Sequence, residues 1–464
     1  MTHTAYAHFI GIGGAGVSGL ARVLHDRGYV VTGSDLKASR YAAALEESGV
    51  RVYVGHAASN LGDPEVVVVS SAIPETNPEL AAARERGIPV WPRAKMLAHL
   101  AGDDVAITVA GTHGKTSTSS MLAMVLDSIG EDPTFLIGGE LNDMGANARC
   151  GGGGYFVVEA DESDGSFLFM EPHVSLITNM EADHLDHYGS FEAIVETFRE
   201  FIGKTDADGA VIACADDPGL VALARAGSPA RVLTYGRADD ADVLCGDLER
   251  MGRGHRFTVS FPDGSAIGVT IAVPGTHMAV NATGVLAAVW SLGLDVEGAA
   301  AALGRFGGVR RRFDHVGEVA GVTVVDDYAH HPTEVKATLA GARAAGYERI
   351  WVIFQPHRYS RTEALGEDFG AAFGDADRVV LMDVYSAGEA PIPGVSGKTV
   401  LDALLITDPR AQAAYFPHRV DIEGYVSARA RAGDLVMTMG AGDVTTIGPE
   451  LVRALGALNL GETP

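Results

Sequence analysis

At 464 residues the chain has room for about three domains of ~150 residues each, and its 47% hydrophobic content is ample for packed cores. A net charge of −25 excludes a nucleic-acid backbone binder and leaves anionic ligands to be captured by local cradles. Cys150, Cys214 and Cys245 lie far apart with no metal-type spacing, which excludes a disulfide framework and a cysteine zinc site. No signal sequence opens the chain and no 18-residue apolar run occurs, so a cytoplasmic protein without membrane insertion is expected.

In chain order, strands and helices alternate from the start. Ala5 to Ile10 reads as a strand, Gly11-Ile12-Gly13-Gly14-Ala15-Gly16 as a turn, and a helix follows to about Arg27. A second strand, Tyr29–Thr32, ends near Asp35. The G-x-G-x-x-G string with an acidic residue about 20 positions on places a nucleotide phosphate beside a helix N-terminus, without saying which nucleotide. Further strands read at Val52–Val54 and Val66–Val69. The latter leads into Ser70 and Ser71, small hydroxyls at a carboxyl strand end where α/β sheets bind ligands, or a simple turn.

Trp91 to Asp104 crosses to a second unit, which opens on the stretch from Ile107 to Ile129. An apolar strand turns through Gly111-Thr112-His113-Gly114 and continues at helical period through Met121, Leu122, Val125 and Ile129. Backbone N–H groups at such a turn converge on one spot, and the helix dipole favours negative charge there. Lys115 adds a cation, and the Thr116 hydroxyl is placed to reach a phosphate-bound metal, with Ser117 next in the chain. The glycines enclose two residues where the usual phosphate loop has four; the alternative is a mere connection between strand and helix. Strands at Tyr155–Val158 and Val174–Thr178 then end in Glu159–Asp164 and Asn179–His187, carboxylates and imidazoles suited to Mg²⁺ beside ATP. A transition-metal pair from His184 and His187 is the less favoured alternative.

After further strands and a turn at Phe261-Pro262-Asp263-Gly264, an alanine-rich helix follows the Pro274–Asn281 string. Gly307-Gly308-Val309 and Arg310-Arg311-Arg312 mark a second boundary: either a solvated linker or guanidinium groups that capture an anion between domains. In the last unit, strands at Val322–Val325 and Ile350–Phe354 run into Asp326–Pro332 and Gln355–Arg361. Strands at Val379–Met382 and Leu435–Met439 lead to polar or glycine-rich turns.

Taken together these strings resemble the Mur ligase family. The residues that carry the resemblance are G-I-G-G-A-G-V-S-G from Gly11, G-T-H-G-K-T-S from Gly111, E-A-D-E-S-D from Glu159 and E-A-D-H from Glu181. They continue with R-R-F-D from Arg311, D-D-Y-A-H-H-P from Asp326, Q-P-H-R-Y-S-R from Gln355 and A-G-E-A-P-I from Ala387. The short phosphate loop is the family's own form, and the joint order spans essentially the whole chain.

The resemblance implies an α/β protein of three domains. Residues 1–103 would be a Rossmann-like UDP-sugar domain, 104–310 a central P-loop-like ATP domain and 311–464 a Rossmann-like amino-acid domain. It implies ATP-dependent joining of L-alanine to the lactoyl carboxylate of UDP-N-acetylmuramate through an acyl phosphate, with Mg²⁺. Gly11, Gly13, Gly14, Ala15, Gly16, Ser70 and Ser71 would hold the UDP-sugar, with Asp35 and His56 as further candidates. Lys115 would act on the transferring phosphoryl group, and Thr116, Glu159 and His184 would hold Mg²⁺. The nucleotide would also meet the loop residues Gly111, Thr112, His113, Gly114 and Ser117, then His277, Asn281, Arg312 and Asp327. Tyr328, His330, Arg358 and Arg361 would surround the amino acid and the reacting carboxylate, where arginines suit developing negative charge. Met278 stands where many family members have Asn, so adenine hydrogen bonds would fall to His277, Asn281 or backbone.

Three other readings remain. A sister ligase that attaches whole peptides to the UDP-sugar would share nearly every motif. An NAD-dependent dehydrogenase leaves Lys115 and Thr116 idle, and a non-catalytic nucleotide switch leaves the arginine and histidine residues of the third unit idle.

Overall fold

The computed structural model describes residues 5–459 apart from 71, 103, 164 and 184, and these form three successive α/β units. The first is a five-stranded parallel sheet with Tyr6–Ile10 at its centre. Val30–Asp35 and Arg51–Val54 extend it to one side, Val66–Val69 and Val90–Pro92 to the other. The chain reverses its direction of winding beside the central strand, so a crevice opens at the carboxyl ends there. The glycine turn at Gly11 and the residue Ser70 both sit at that crevice. Ala7, Phe9, Val67 and Val68 are buried, as strands covered on both faces require.

The second unit is built on a ten-stranded sheet. Val105–Ala110 runs between Val174–Ile177 and Tyr155–Glu159, parallel to both, and an antiparallel hairpin system forms one edge. The helix Lys115–Ser128 follows the central strand and is buried from Thr116 to Leu126. It therefore shows almost no amphipathic stripe.

The third unit is a six-stranded sheet, parallel except for the edge strand Asp314–Val319. Side chains alternate across it: Ile350, Val352 and Phe354 pack in one apolar cluster, Trp351 and Ile353 in another.

The joints between units differ in kind. The first two share one continuous apolar core, in which Val17, Leu20 and Met96 belong with Ile107, Phe135, Phe306 and Val309. Gly19 of the helix Ala15–Asp26 lies so close to the strand Ala146–Arg149 that a Cβ would stand 2.8 Å from the Ala148 methyl. The third unit keeps its apolar clusters to itself and meets the middle unit through polar side chains and through a close approach of Gly341 to Gly275, where a Cβ would stand 3.1 Å from the Gly275 Cα.

Candidate active site

The strand Val105–Ala110 and its two parallel neighbours present three carboxyl ends side by side. Gly111 has φ 127°, and a Cβ there would come 2.2 Å from Thr178 Oγ1, so the loop passes that strand end only as glycine. Gly114, at φ 82°, is the N-cap of the helix Lys115–Ser128, and no side chain caps it. Its first-turn amides are thus left for an anion. Lys115 is folded back over the loop, where Nζ donates to the Gly111 carbonyl (2.7 Å), the Thr112 carbonyl (3.1 Å) and Glu162 Oε1 (2.8 Å). Burial works against its charge, but Glu162, Asp161 and Glu159 outweigh it and keep the amine cationic.

Thr116 Oγ1 donates to Glu159 Oε1 (2.8 Å), while Glu159 Oε2 accepts from Gly138 N (2.6 Å) and Ser119 Oγ (3.3 Å). A hydroxyl and a fixed carboxylate fit a hard cation such as Mg²⁺, which takes oxygen ligands and retains waters. His184 and Ser71, both expected at ligand sites, lie outside the described residues.

Two cavities meet at this loop. The smaller, of about 190 Å³, is walled by Met278, Phe306 and Val309 and edged by His113, Ser117, His277, Asn281, Arg312 and Asp327. Burial, with the charges of His255 and Arg312, pushes the His277 imidazole down to about 4, so it is neutral at pH 7. Burial also lifts the Asp327 carboxyl to about 6 against the pull of Arg312 and of the Ala329 and Phe313 amides, which it accepts at 2.8 and 2.7 Å. Met278 is buried and supplies apolar wall.

The larger cleft, of about 710 Å³, runs through all three units: Ala15 and Gly16, then Lys115 and Thr116, then Tyr328 and His330. Arg40 and Arg93 also line it. Arg93 Nη1 occupies the place where a Gly16 Cβ would be, 2.2 Å away. Neither arginine stands out in the sequence, although Arg93 directly follows the strand Val90–Pro92, the same strand-end position that singles out Ser70. Gly11, Gly13, Gly14, Asp35, His56 and Ser70 are outside this lining. Asp35 braces the glycine turn, Oδ2 accepting from Gly13 N at 2.9 Å. His56 faces inward, its Nδ1 2.9 Å from Ser34 Oγ and 3.5 Å from Glu79.

In the third unit, Tyr328, His330, His357 and Arg361 form one group, with ring centroids 5.2 and 5.7 Å apart along the series and Arg361 Nη1 3.5 Å from His357 Nδ1. Neither Arg358 nor Arg361, both expected around the reacting carboxylate, is among the residues lining the cleft: Arg361 is turned to Asp183, and Arg358 points elsewhere. Its left-handed φ of 68° at the N-cap of Tyr359–Gly370 accompanies a guanidinium turned to Glu389, 3.8 Å away.

Three domain families of the Mur ligases match this chain in order: the catalytic domain over residues 6–104, the middle domain over 109–289 and the glutamate ligase domain over 311–442. The chain belongs to the Mur ligase family. These are ATP-dependent ligases. The chain is 48% identical, over 98% of each sequence, to the UDP-N-acetylmuramate–L-alanine ligase of Pelotomaculum thermopropionicum. Among solved structures, the UDP-N-acetylmuramate-alanine ligase of Thermotoga maritima superposes with a TM-score of 0.80 at 29% identity, covering 97% of this chain and 99% of that one. A murein peptide ligase of Psychrobacter arcticus gives 0.72 at 28% identity with the same coverage.

In this Mur ligase the third domain is held against the middle one by a polar seam that sequence reading did not find. Arg361 donates to Asp183 (3.0 Å), both side chains being 8% exposed, and Thr333 Oγ1 donates to Glu181 Oε2 (2.8 Å). His113 of the phosphate loop stands between Glu334 (3.3 Å) and Glu181 (3.5 Å). Burial alone would lower the His113 imidazole, but those two carboxylates outweigh it and lift it to about 9. A group raised from 6.5 in this way stabilises the closed arrangement fully below pH 6.5 and loses that contribution as pH rises through 9. The melting temperature should therefore fall between pH 7 and 9.5 more steeply than in a His113→Asn variant. Parallel profiles for the two proteins would refute the assignment.

Proposed function

We propose that the chain joins L-alanine to the lactoyl carboxylate of UDP-N-acetylmuramate, converting ATP to ADP and phosphate. The observation that carries this reading is the cleft that leads from the first glycine turn past Lys115 to Tyr328 and His330, with a separate apolar cavity opening on the same loop. A long sugar nucleotide fits the cleft and an adenosine fits the cavity, their reactive ends meeting at Lys115. Residues 1–103, 104–310 and 311–464 then divide the work as sugar-nucleotide, ATP and amino-acid domains. The 48% identity to an L-alanine ligase favours a single amino acid over a peptide as the second substrate.

In the first step a lactoyl carboxylate oxygen attacks the γ-phosphorus of ATP and ADP departs, leaving an acyl phosphate. Phosphoryl transfer asks for positioning and charge stabilisation, and Lys115 supplies the cation when it exchanges Glu162 for the phosphates. The loop residues Gly111 to Ser117 cradle those phosphates, His277 and Asn281 meet the adenine, and Arg312 and Asp327 close over the nucleotide. Mg²⁺ held by Thr116, Glu159 and His184 would offset phosphate charge. In the second step the alanine amine attacks the acyl carbon and phosphate leaves. His330 Nδ1 lies 2.9 Å from the Tyr328 carbonyl, which fixes the proton on Nδ1 and leaves Nε2 to accept a hydrogen bond from the attacking alanine amine. Burial keeps this imidazole neutral, pushing it down to about 4. Arg361, with Arg358 after a rotation, offers guanidinium groups to the alanine carboxylate and the tetrahedral centre, and Arg93, Arg40 and the end of the glycine turn at Ala15 and Gly16 hold the diphosphate.

Phosphate release with UDP-N-acetylmuramate, ATP and a panel of amino acids plus an L-alanyl tripeptide tests the reading. Turnover with the tripeptide and none with L-alanine would overturn it. Thr116→Val and Glu159→Gln should each raise the Mg²⁺ concentration for half-maximal rate several-fold. Magnesium curves identical to those of the parent protein would remove both residues from the metal site.

A further inference from the structure

Outside the proposed Mg²⁺ position, one further group of side chains among the described residues has the make-up of a metal site. His113, Glu181 and His331 each offer a ligand atom, and these atoms lie within 4.8 Å of one another. His331 is 6% exposed, and its Nε2 is buried without a hydrogen-bond partner. Nε2 of His113 is buried too, 3.5 Å from Glu181 Oε2. A buried imidazole nitrogen with no partner, beside a second that faces a carboxylate, forms a polar space that lacks its counterpart.

We propose that this cluster binds a zinc-class divalent cation that staples the third domain to the middle one. His113 and Glu181 belong to the middle domain and His331 to the third, so the ion has its full ligand set only when the two are closed. It then favours that state by mass action. The arrangement behind His113 suits a ligand: its Nδ1 lies 3.3 Å from Glu334 Oε1, the carboxylate–histidine pairing that orients Nε2 toward a metal. Coordination through His331 Nε2 puts that ring's proton on Nδ1 and gives up a single long bond, from Thr333 N at 3.3 Å. Side-chain rotations that draw the three atoms together by about an ångström reach Zn–N and Zn–O lengths of roughly 2.0–2.2 Å. Two nitrogens and one carboxylate oxygen suit Zn²⁺ or Co²⁺ better than Mg²⁺, so magnesium at working concentration leaves the cluster to the softer ion. The fourth position faces the nucleotide cavity, whose edge His113 and Glu181 also form.

The test is a Co²⁺ titration of the full chain, without nucleotide and in excess Mg²⁺, followed by visible absorption and then by Zn²⁺ displacement. The parent protein should take up one Co²⁺ with the intense bands of a low-coordinate site and release it to stoichiometric Zn²⁺. His331→Asn retains an N-cap oxygen for the helix Pro332–Ala344 and removes the ligand nitrogen. It should weaken binding at least tenfold, and so should Glu181→Gln, which carries the test alone if His331→Asn does not melt cooperatively. Small-angle scattering should show Zn²⁺ compacting the parent protein and not the variants. Equal Co²⁺ binding by the parent and the variants, or only the weak bands of a six-coordinate ion, overturns the proposal.

Discussion

A Lys115→Ala substitution will lower the maximal rate by about 10²–10³-fold or more, the typical cost of losing one charged or hydrogen-bonding group aimed at the transition state. UDP-sugar binding should survive. Lys115 lies on the middle domain's loop, whereas the first glycine turn, Arg40 and Arg93 lie on the first domain. The loss has a second component, because Glu162 is buried and would be left without its cation. An uncompensated buried carboxylate takes up a proton or destabilises the loop. The double variant Lys115→Ala with Glu162→Gln removes that complication and should be as inactive as the single variant while recovering its thermal stability. Calorimetric titration of the UDP-sugar into both proteins is the measurement. Collapse of sugar-nucleotide binding in the double variant would mean that the two nucleotide sites are misassigned.

The second large effect is expected at the seam. Asp183 and Arg361 form an ion pair with both side chains 8% exposed, so little solvent screens it. Removing one partner from such a pair typically costs about 3–5 kcal/mol, because the other charge loses its counter-ion where water screens it poorly. Here the cost falls on domain closure and not on the fold of either domain. Arg361→Ala should therefore lower kcat/KM by about 10²-fold or more and give a larger radius by small-angle scattering. Asp183→Ala should do the same. Their double variant should be far less impaired than the sum of the two, with a coupling well above the roughly 0.5 kcal/mol expected of independent sites. Additive losses would mean that Arg361 acts on the substrate alone, with nothing contributed through Asp183.

The parts legible in the sequence are those where one local rule suffices. The strand, glycine turn and cation at Gly111–Lys115 are contiguous, so periodicity and turn chemistry find them without the fold. The strands Thr134–Leu141 and Ala146–Arg149 escaped because Gly138-Gly139 interrupts the first and the second is short and half-buried. Their glycines make sense only with the Glu159 carboxylate against Gly138 and Val309 against Gly139. Arg93, Glu181, Asp183 and Glu334 are ordinary charged residues in their own segments. What distinguishes them is a partner far along the chain, as with Asp183 and Arg361 or Glu334 and His113, which no window of sequence contains. The orientation of Arg358 was also out of reach, since a left-handed backbone at a non-glycine residue leaves no mark in composition.

The shared apolar core of the first two domains also bears on how the chain is made. Phe306 and Val309 belong to the core that begins at Ala7, so the apolar joint between those two domains is complete only when the ribosome has released the segment around residue 309, although the cluster of Ile10, Leu61, Val67, Leu80 and Ala83 lies within the first domain alone. For that interval a large apolar surface stays open, the condition under which nascent chains seek chaperones. The last domain carries its own clusters and can fold afterwards as a unit, so domain assembly ends at the polar seam between it and the middle domain.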